Sequence, residues 1–242
     1  MYLYEISKTF QLAPNKKIEK YLSEFVYGGI DGCVTTFAVV AGAVGASLDT
    51  GIIIILGFAN LLADGFAMSI GAYLSAKSDL DNFNKYKQRE YWEIENLHAE
   101  EVKEIRDIYE SKGFEGELLD KVVNVITSDK DRWVDVMMKE ELKMIKNEKS
   151  PQLIGLATFI SFCLVGIIPL STYLVHFIHP LSINLFFLSS ILTAIGFAII
   201  GAMKAVVNET TVWKGIAETL ILGIVAAAVA YFVGDLLEKW IS

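Results

Sequence analysis

The sequence predicts an all-α integral membrane protein with five transmembrane helices and a charged helical segment inserted between the second and the third. Three observations carry this. Hydrophobic residues make up 53% of the 242 and mean hydropathy is +0.44, too apolar for an ordinary soluble chain. The apolar residues gather in runs at 25–48, 51–76, 153–177, 181–203 and 215–233, each about as long as the ~20 residues a helix needs to cross the hydrocarbon core. Between the second and third runs, 77–150 is dense in charge and holds no such run. That stretch belongs in water.

Taken in order, residues 1–24 form an N-terminal segment whose first twenty positions are polar and lack an apolar h-region. No cleavable leader is expected, and the first span acts as its own insertion signal. Lys8, Lys16, Lys17 and Lys20 precede that span, and the insert and the loop after the fourth span hold every other Lys and Arg except Lys239. With five spans these three stretches share one face, which the positive-inside rule makes cytoplasmic. The C-terminus, the connection at 47–50 and the loop at 176–180 then lie outside.

The spans of 25–76 are rich in small residues. Ala38, Gly42 and Ala46 in the first, and Gly57, Gly65, Gly71 and Ala72 in the second, offer faces on which helix backbones can approach closely. These two spans are expected to line the functional interior. The insert, 77–150, reads as about three helices: 78–108 has few breakers, Gly113 and Gly116 punctuate it, and helices resume at 117–126 and 131–146 behind the capping run Ser128-Asp129-Lys130-Asp131. Residues 151–242 hold the last three spans. Pro169 in the third should kink or break its helix and free a carbonyl for another partner. The fourth is dominated by Leu, Ile and Phe.

Composition also excludes functions. Net charge is −8, and the insert carries 19 acidic against 14 basic residues, so nucleic acid is no partner. Cys33 and Cys163 both fall inside spans, where small buried hydrophobes are the simplest reading and a disulfide framework has no role. No nucleophile motif, P-loop or dinucleotide fingerprint is present, which argues against an enzyme and against ATP-driven pumping.

The sharpest chemical signal is polar side chains within the first two spans. Asp31 lies about two turns into the first, and Asn60, Asp64 and Met68 follow one another at intervals of four in the second, on a single helical stripe. A carboxylate in a bilayer costs at least a few kcal/mol and pairs with a cation or faces a water-filled path. No Lys or Arg is available inside these spans. A metal ion, a proton or both are the natural partners; the plainer alternative is that Asp31 and Asp64 reach interfacial water.

In the insert, Glu90, Glu93, Glu101 and Glu104 are spaced 3, 8 and 3 apart. Eleven residues is close to three turns, so on one continuous helix all four form one stripe of like charge that repels unless a cation is present. Met137, Met138 and Glu141 add two thioethers and a carboxylate within one turn. Mixed carboxylate and thioether ligation suits a borderline transition ion better than magnesium or calcium. A solvated acidic face and two core methionines are the plainer readings. Glu95-Asn-Leu-His98 matches one half of a ferritin-like di-iron motif, which needs two such elements. His176 and His179 at the outer loop suit interfacial histidines or ligands of a departing ion.

With these residues in place the chain resembles the vacuolar iron transporter family. The resemblance is carried by Asp31-Gly-Cys-Val-Thr-Thr-Phe-Ala-Val-Val-Ala-Gly, by Met68-Ser-Ile-Gly-Ala-Tyr-Leu-Ser-Ala-Lys-Ser, and by Thr127-Ser-Asp-Lys-Asp-Arg-Trp-Val-Asp-Val-Met-Met-Lys-Glu-Glu-Leu, in that order over nearly the whole chain. It implies a homodimeric five-span carrier that exports ferrous iron, and often manganese, from the cytoplasm in exchange for protons, with zinc and cobalt as further candidate ions and no resident cofactor. By the same likeness the insert is a cytoplasmic metal-binding domain continuous with the second span. Glu90, Glu93, Glu101, Glu104, Met137, Met138 and Glu141 would bind metal there, and Asp31 and Met68 would form the membrane site. Where plant-type members place a glutamate in the second span, this chain has Asn60, and Asp64 one turn later is the candidate for proton coupling. The membrane would be the plasma (inner) membrane of a prokaryote or the vacuolar membrane of a eukaryote. A metal-gated channel or a membrane metal sensor is the alternative.

Overall fold

The computed structural model describes residues 20–241, which are helical with no strand among them. Lys8, Lys16, Lys17 and most of the expected N-terminal segment lie outside the described residues. The chain divides into two compact units, Met1–Leu74 with Lys149–Ser242, and Ser75–Glu148.

In the first unit α1 (Leu22–Gly45), α2 (Thr50–Asn96, the part up to Leu74), α8 (Leu185–Val207) and α9 (Val212–Ile241) are each long and apolar enough to cross a membrane. A bent pair at the place of the expected third span, α6 (Pro151–Gly166) and α7 (Ile168–Ile178), whose axes differ by 50°, is long and apolar enough only when the two helices are taken together, which makes four to five candidate spans among the described residues. Pro169 stands in the first turn of α7, where its missing N–H and fixed φ are tolerated. The Pro169 carbonyl accepts a hydrogen bond of 2.7 Å from the Ser189 hydroxyl on α8, so the expected break is present and the backbone near it is partnered by a neighbouring span.

α1 is the hub of this unit, packed on α6, α8 and α9. Its glycines allow backbone-to-backbone approach: a Cβ added at Gly28 would stand 2.6 Å from the Thr158 carbonyl oxygen, and one at Gly32 or Gly45 would overlap the carbonyl of Phe162 or Tyr231. α2 packs differently. It meets α6 and α7 through the side chains of Phe162 and Leu170 against Gly65 and Gly57, and leaves Ile55, Leu62 and Phe66 more than half exposed.

The second unit holds the remainder of α2, then α3 (His98–Ser111), α4 (Gly116–Thr127), α5 (Lys130–Val136) and a π-helical turn, Met137–Glu141. Gly113 and Gly116 take left-handed φ of 90° and 54° in the α3–α4 connection, a conformation that favours glycine. Asp129 caps α5, its carboxylate accepting from the Arg132 N–H at 2.8 Å. Ile105, Val134, Met137, Met138 and Trp133 fill the core.

Two expectations for the insert are corrected. The helix read over 78–108 is interrupted at Leu97, so Glu90 and Glu93 end one helix while Glu101 and Glu104 begin the next, and the four do not form a stripe on one rod. The interruption is small in hydrogen-bond terms, since the Leu97 N–H still donates to the Glu93 carbonyl and the Leu97 carbonyl still accepts from Glu101. The helix read over 131–146 stops at Glu141 because its last turn widens, the Leu142 N–H reaching back five residues to the Met137 carbonyl at 3.1 Å.

Candidate functional site: two carboxylate clusters

In the membrane unit, α1 carries Asp31, half-buried, with the Thr35 hydroxyl donating to its backbone carbonyl at 2.9 Å. Asn60, Asp64 and Met68 are likewise half-buried, one turn apart on α2. Asp31 and Asp64 come near enough for their charges to act on each other. The Asn60 Nδ2 is buried without a hydrogen-bonding partner, and Met68 packs beside the cluster that contains Leu61 and Phe162. The structure therefore relates Asp31 to Asp64. Among the described residues no three His, Cys, Asp or Glu side chains already stand around a common point as a ready-made metal site.

In the insert, burial and like charge act together. Glu90 and Glu101 are 2% and 4% exposed, and the Oε2 of each is buried with no partner. Desolvation, then the charges of Glu141, Glu93 and Glu104, push the Glu90 carboxyl up to about 7. Desolvation, then Glu104, Glu90, Glu93 and Glu141, push Glu101 up to about 8. Burial and Glu93 raise Glu104 as well. Glu141 is exposed as a residue, yet its carboxyl moves the same way through partial desolvation and the charges of Glu104 and Glu93. Five carboxylates from α2, α3 and the π turn thus share one electrostatic site. Arg89 is the cation of this group, bound to Glu93 at 2.8 Å; sequence spacing gave no prominence to it.

Met137 and Met138 are 0% and 1% exposed, enclosed in the insert core. Glu95 and His98 fall on opposite sides of the Leu97 interruption: Glu95 pairs with Lys130, and the His98 ring meets Trp133 edge-on at 5.1 Å. Both have structural work to do. His176 Nδ1 accepts from the Leu181 N–H at 3.0 Å, closing the turn between α7 and α8, and His179 is exposed. Sequence reasoning missed one class of polar group entirely: Thr36, Thr172, Tyr173 and Thr193, whose hydroxyls are buried in the membrane unit without a partner.

The profile of the VIT family matches residues 22–235. Among known proteins, a vacuolar iron transporter of Toxoplasma gondii is 34% identical over 226 residues, covering 90% of this chain and 74% of that protein. A vacuolar iron transporter of Plasmodium falciparum is 33% identical over 234 residues, covering 91% and 84%. Vacuolar iron transporter 1 of Eucalyptus grandis is 32% identical over 209 residues, covering 86% and 83%.

Proposed function

The chain belongs to the VIT family and is a metal-ion transporter of the multi-pass membrane class rather than an enzyme, and from that premise we propose that it exports divalent iron, and manganese beside it, from the cytoplasm in exchange for protons. The observation that carries this reading is the pair Glu90 and Glu101, buried carboxyls each with an oxygen that no protein group satisfies. A buried unpaired carboxylate is tolerated only when protonated or bound to a cation. With carboxyls pushed up to about 7 and about 8, the insert holds protons near neutrality and surrenders them to a divalent ion.

In this reading the insert lies on the cytoplasmic side and its acidic field draws cations in. Glu90, Glu93, Glu101, Glu104 and Glu141 supply hard ligands, and Met137 and Met138 supply soft ones that favour a transition ion over magnesium. Asp31 and Met68 receive the ion in the membrane, where proton and metal compete for the same carboxylate. Asp64, one turn from Asn60, couples the protons. Two copies assemble through their membrane helices, a role for which the bare apolar face of α2 is suited.

The deciding experiment is uptake by liposomes containing the purified protein and a pH-sensitive dye, run with iron, manganese, zinc, cobalt and magnesium. A carrier saturates and moves protons against metal; a channel shows no fixed proton count and no dependence on a pH gradient. Asp31→Asn should abolish transport while calorimetry still finds metal bound by the insert. Wild-type transport rates in that variant would remove Asp31 from the mechanism.

A further inference from the structure

Five side chains of the membrane unit carry a polar atom that is buried without a hydrogen-bonding partner: Thr36 Oγ1 on α1, Asn60 Nδ2 on α2, Thr172 Oγ1 and Tyr173 Oη on α7, and Thr193 Oγ1 on α8. Four of these residues are almost wholly enclosed, Thr36 and Thr193 at 0% and Thr172 and Tyr173 at 2% exposure. Other hydroxyls of the unit bond to backbone carbonyls in the usual way. Thr158 donates to Ile154 at 2.9 Å and Thr219 to Phe197 at 3.0 Å. In hydrocarbon an unpaired hydroxyl has no bulk water to turn to, so these five groups call for a partner that is not part of the chain.

Their position narrows what that partner is. Gly166, at the end of α6, packs on Gly32 of α1 and Leu61 of α2; Gly196 of α8 packs on Ile168 and Cys33. These contacts gather α1, α2 and α8 around the bend between α6 and α7. Thr36 lies one turn past Gly32, and Thr193 lies one turn before Gly196 on a helix running the opposite way, so both are displaced in the same direction. Asn60 adjoins Leu61, and Thr172 and Tyr173 follow the bend by about a turn and a half. Tyr173 packs with Val40 and Ile53, near the end of the bundle where α1 turns into α2. All five groups thus lie on that side of Asp31. None is a carboxylate, thiol or imidazole; hydroxyls and a carboxamide are poor ligands for a transition ion but donate and accept hydrogen bonds with water.

We infer that the chain encloses within itself a hydrogen-bonded water path, lined by Thr36, Asn60, Thr172, Tyr173 and Thr193, that delivers protons to Asp31 from the membrane face where α1 turns into α2. The inference rests on the transport reading above and adds to it a proton route separate from the metal ligands. The lining groups relay protons through water and undergo no net change themselves. In this conformation the path is shut, since its hydroxyls are sealed from solvent.

Isosteric replacement tests it in the full-length protein reconstituted in liposomes, with manganese as the probe ion and a pH dye inside. Thr36→Val with Thr193→Val keeps side-chain shape and removes two hydroxyls; Tyr173→Phe removes a third and serves alone should the double variant fold poorly. Proton flux driven by manganese should fall at least tenfold in each, calorimetric manganese binding should be unchanged, and Thr36→Ser with Thr193→Ser should retain flux. If the hydroxyls are dry, the Val and Phe variants will instead keep proton flux within twofold of wild type and melt at higher temperature, because deleting an unpaired buried polar group stabilises a fold. That result overturns the path and leaves the transport reading intact. A wild-type protein that moves neither manganese nor iron overturns the transport reading and the path with it.

Discussion

α1 meets α6 and α9 where side chains are missing, at Gly28, Gly32 and Gly45, whereas α3 meets its neighbours in the insert through Ile105, Trp133, Met137 and Met138, all at 0–1% exposure. The solvents explain the difference. Lipid tails are as apolar as leucine, so bulky side chains gain nothing by leaving them, and helices associate by close backbone packing and a few polar bonds. In water the same association is driven by removing large apolar surfaces from solvent. Polar groups divide in a similar way: among the described residues the buried unpaired groups of the insert are two carboxyls and the Trp133 indole N–H, and those of the membrane unit are hydroxyls and one carboxamide.

The contrast breaks if one added methyl is harmless in the first unit. Gly32→Ala places a Cβ on the Phe162 carbonyl, a backbone atom that cannot move aside, so no monodisperse protein should survive detergent extraction; Gly71→Ala, with open space around it, should be neutral or gain up to about 1 kcal/mol. Equal behaviour of the two variants in size-exclusion chromatography would refute glycine-mediated assembly. The insert should respond to the opposite change. Ile105→Ala removes bulk from a fully buried site and should cost about 2–5 kcal/mol, read as faster amide exchange confined to α3, α4 and α5.

Glu90→Gln with Glu101→Gln sharpens the comparison by separating stability from binding. Loss of two buried charges should weaken divalent metal binding by at least about 10–100-fold. It should also weaken a pH dependence. Both carboxyls lie above their unfolded value of 4.5, at about 7 and about 8, so their protonated forms favour the fold. Their contribution is complete below pH 4.5 and is lost as pH rises through 7 and 8. Amide exchange in the metal-free wild-type insert should therefore quicken across that window beyond the intrinsic rate, and the double variant should show a clearly shallower dependence, the remainder belonging to Glu104 and Glu141. The smallest effect belongs to Met138→Leu: with volume kept, stability should shift by less than about 1.5 kcal/mol. Under the proposed capture role, cadmium binding falls several-fold while manganese changes little, a difference that competition titration would resolve.

Much of the fold was legible in the sequence because a span announces itself by length and apolarity. Pro169 likewise announced a bend by chemistry that no context can repair. The interruption at Leu97 had no such marker: Asn96-Leu97-His98 contains neither Gly nor Pro, and the backbone bonds on either side survive, so little local energy distinguishes a broken helix from a straight one. What decides is tertiary packing, such as His98 against Trp133 and Glu95 with Lys130. For the insert cluster, spacing identified the carboxylates, but their shared burial could arise only from the fold of α2, α3 and the π turn together. The membrane hydroxyls were not legible at all, since Thr and Ser are ordinary in spans and only the three-dimensional arrangement reveals which lack a carbonyl to bond.

The π turn at Met137–Glu141 works as a phase shifter. An α-helix advances 100° per residue, and one surplus residue in the turn advances everything after it by that angle. Two consecutive methionines can then lie enclosed in the core while Glu141, three residues on, still feels Glu93 and Glu104. Such turns recur at functional positions in helical proteins. A chain lacking Lys139 would regain the regular helical phase and rotate the Glu141 carboxylate about 100° relative to the methionines, leaving every residue of the cluster in the sequence but dispersing it in space.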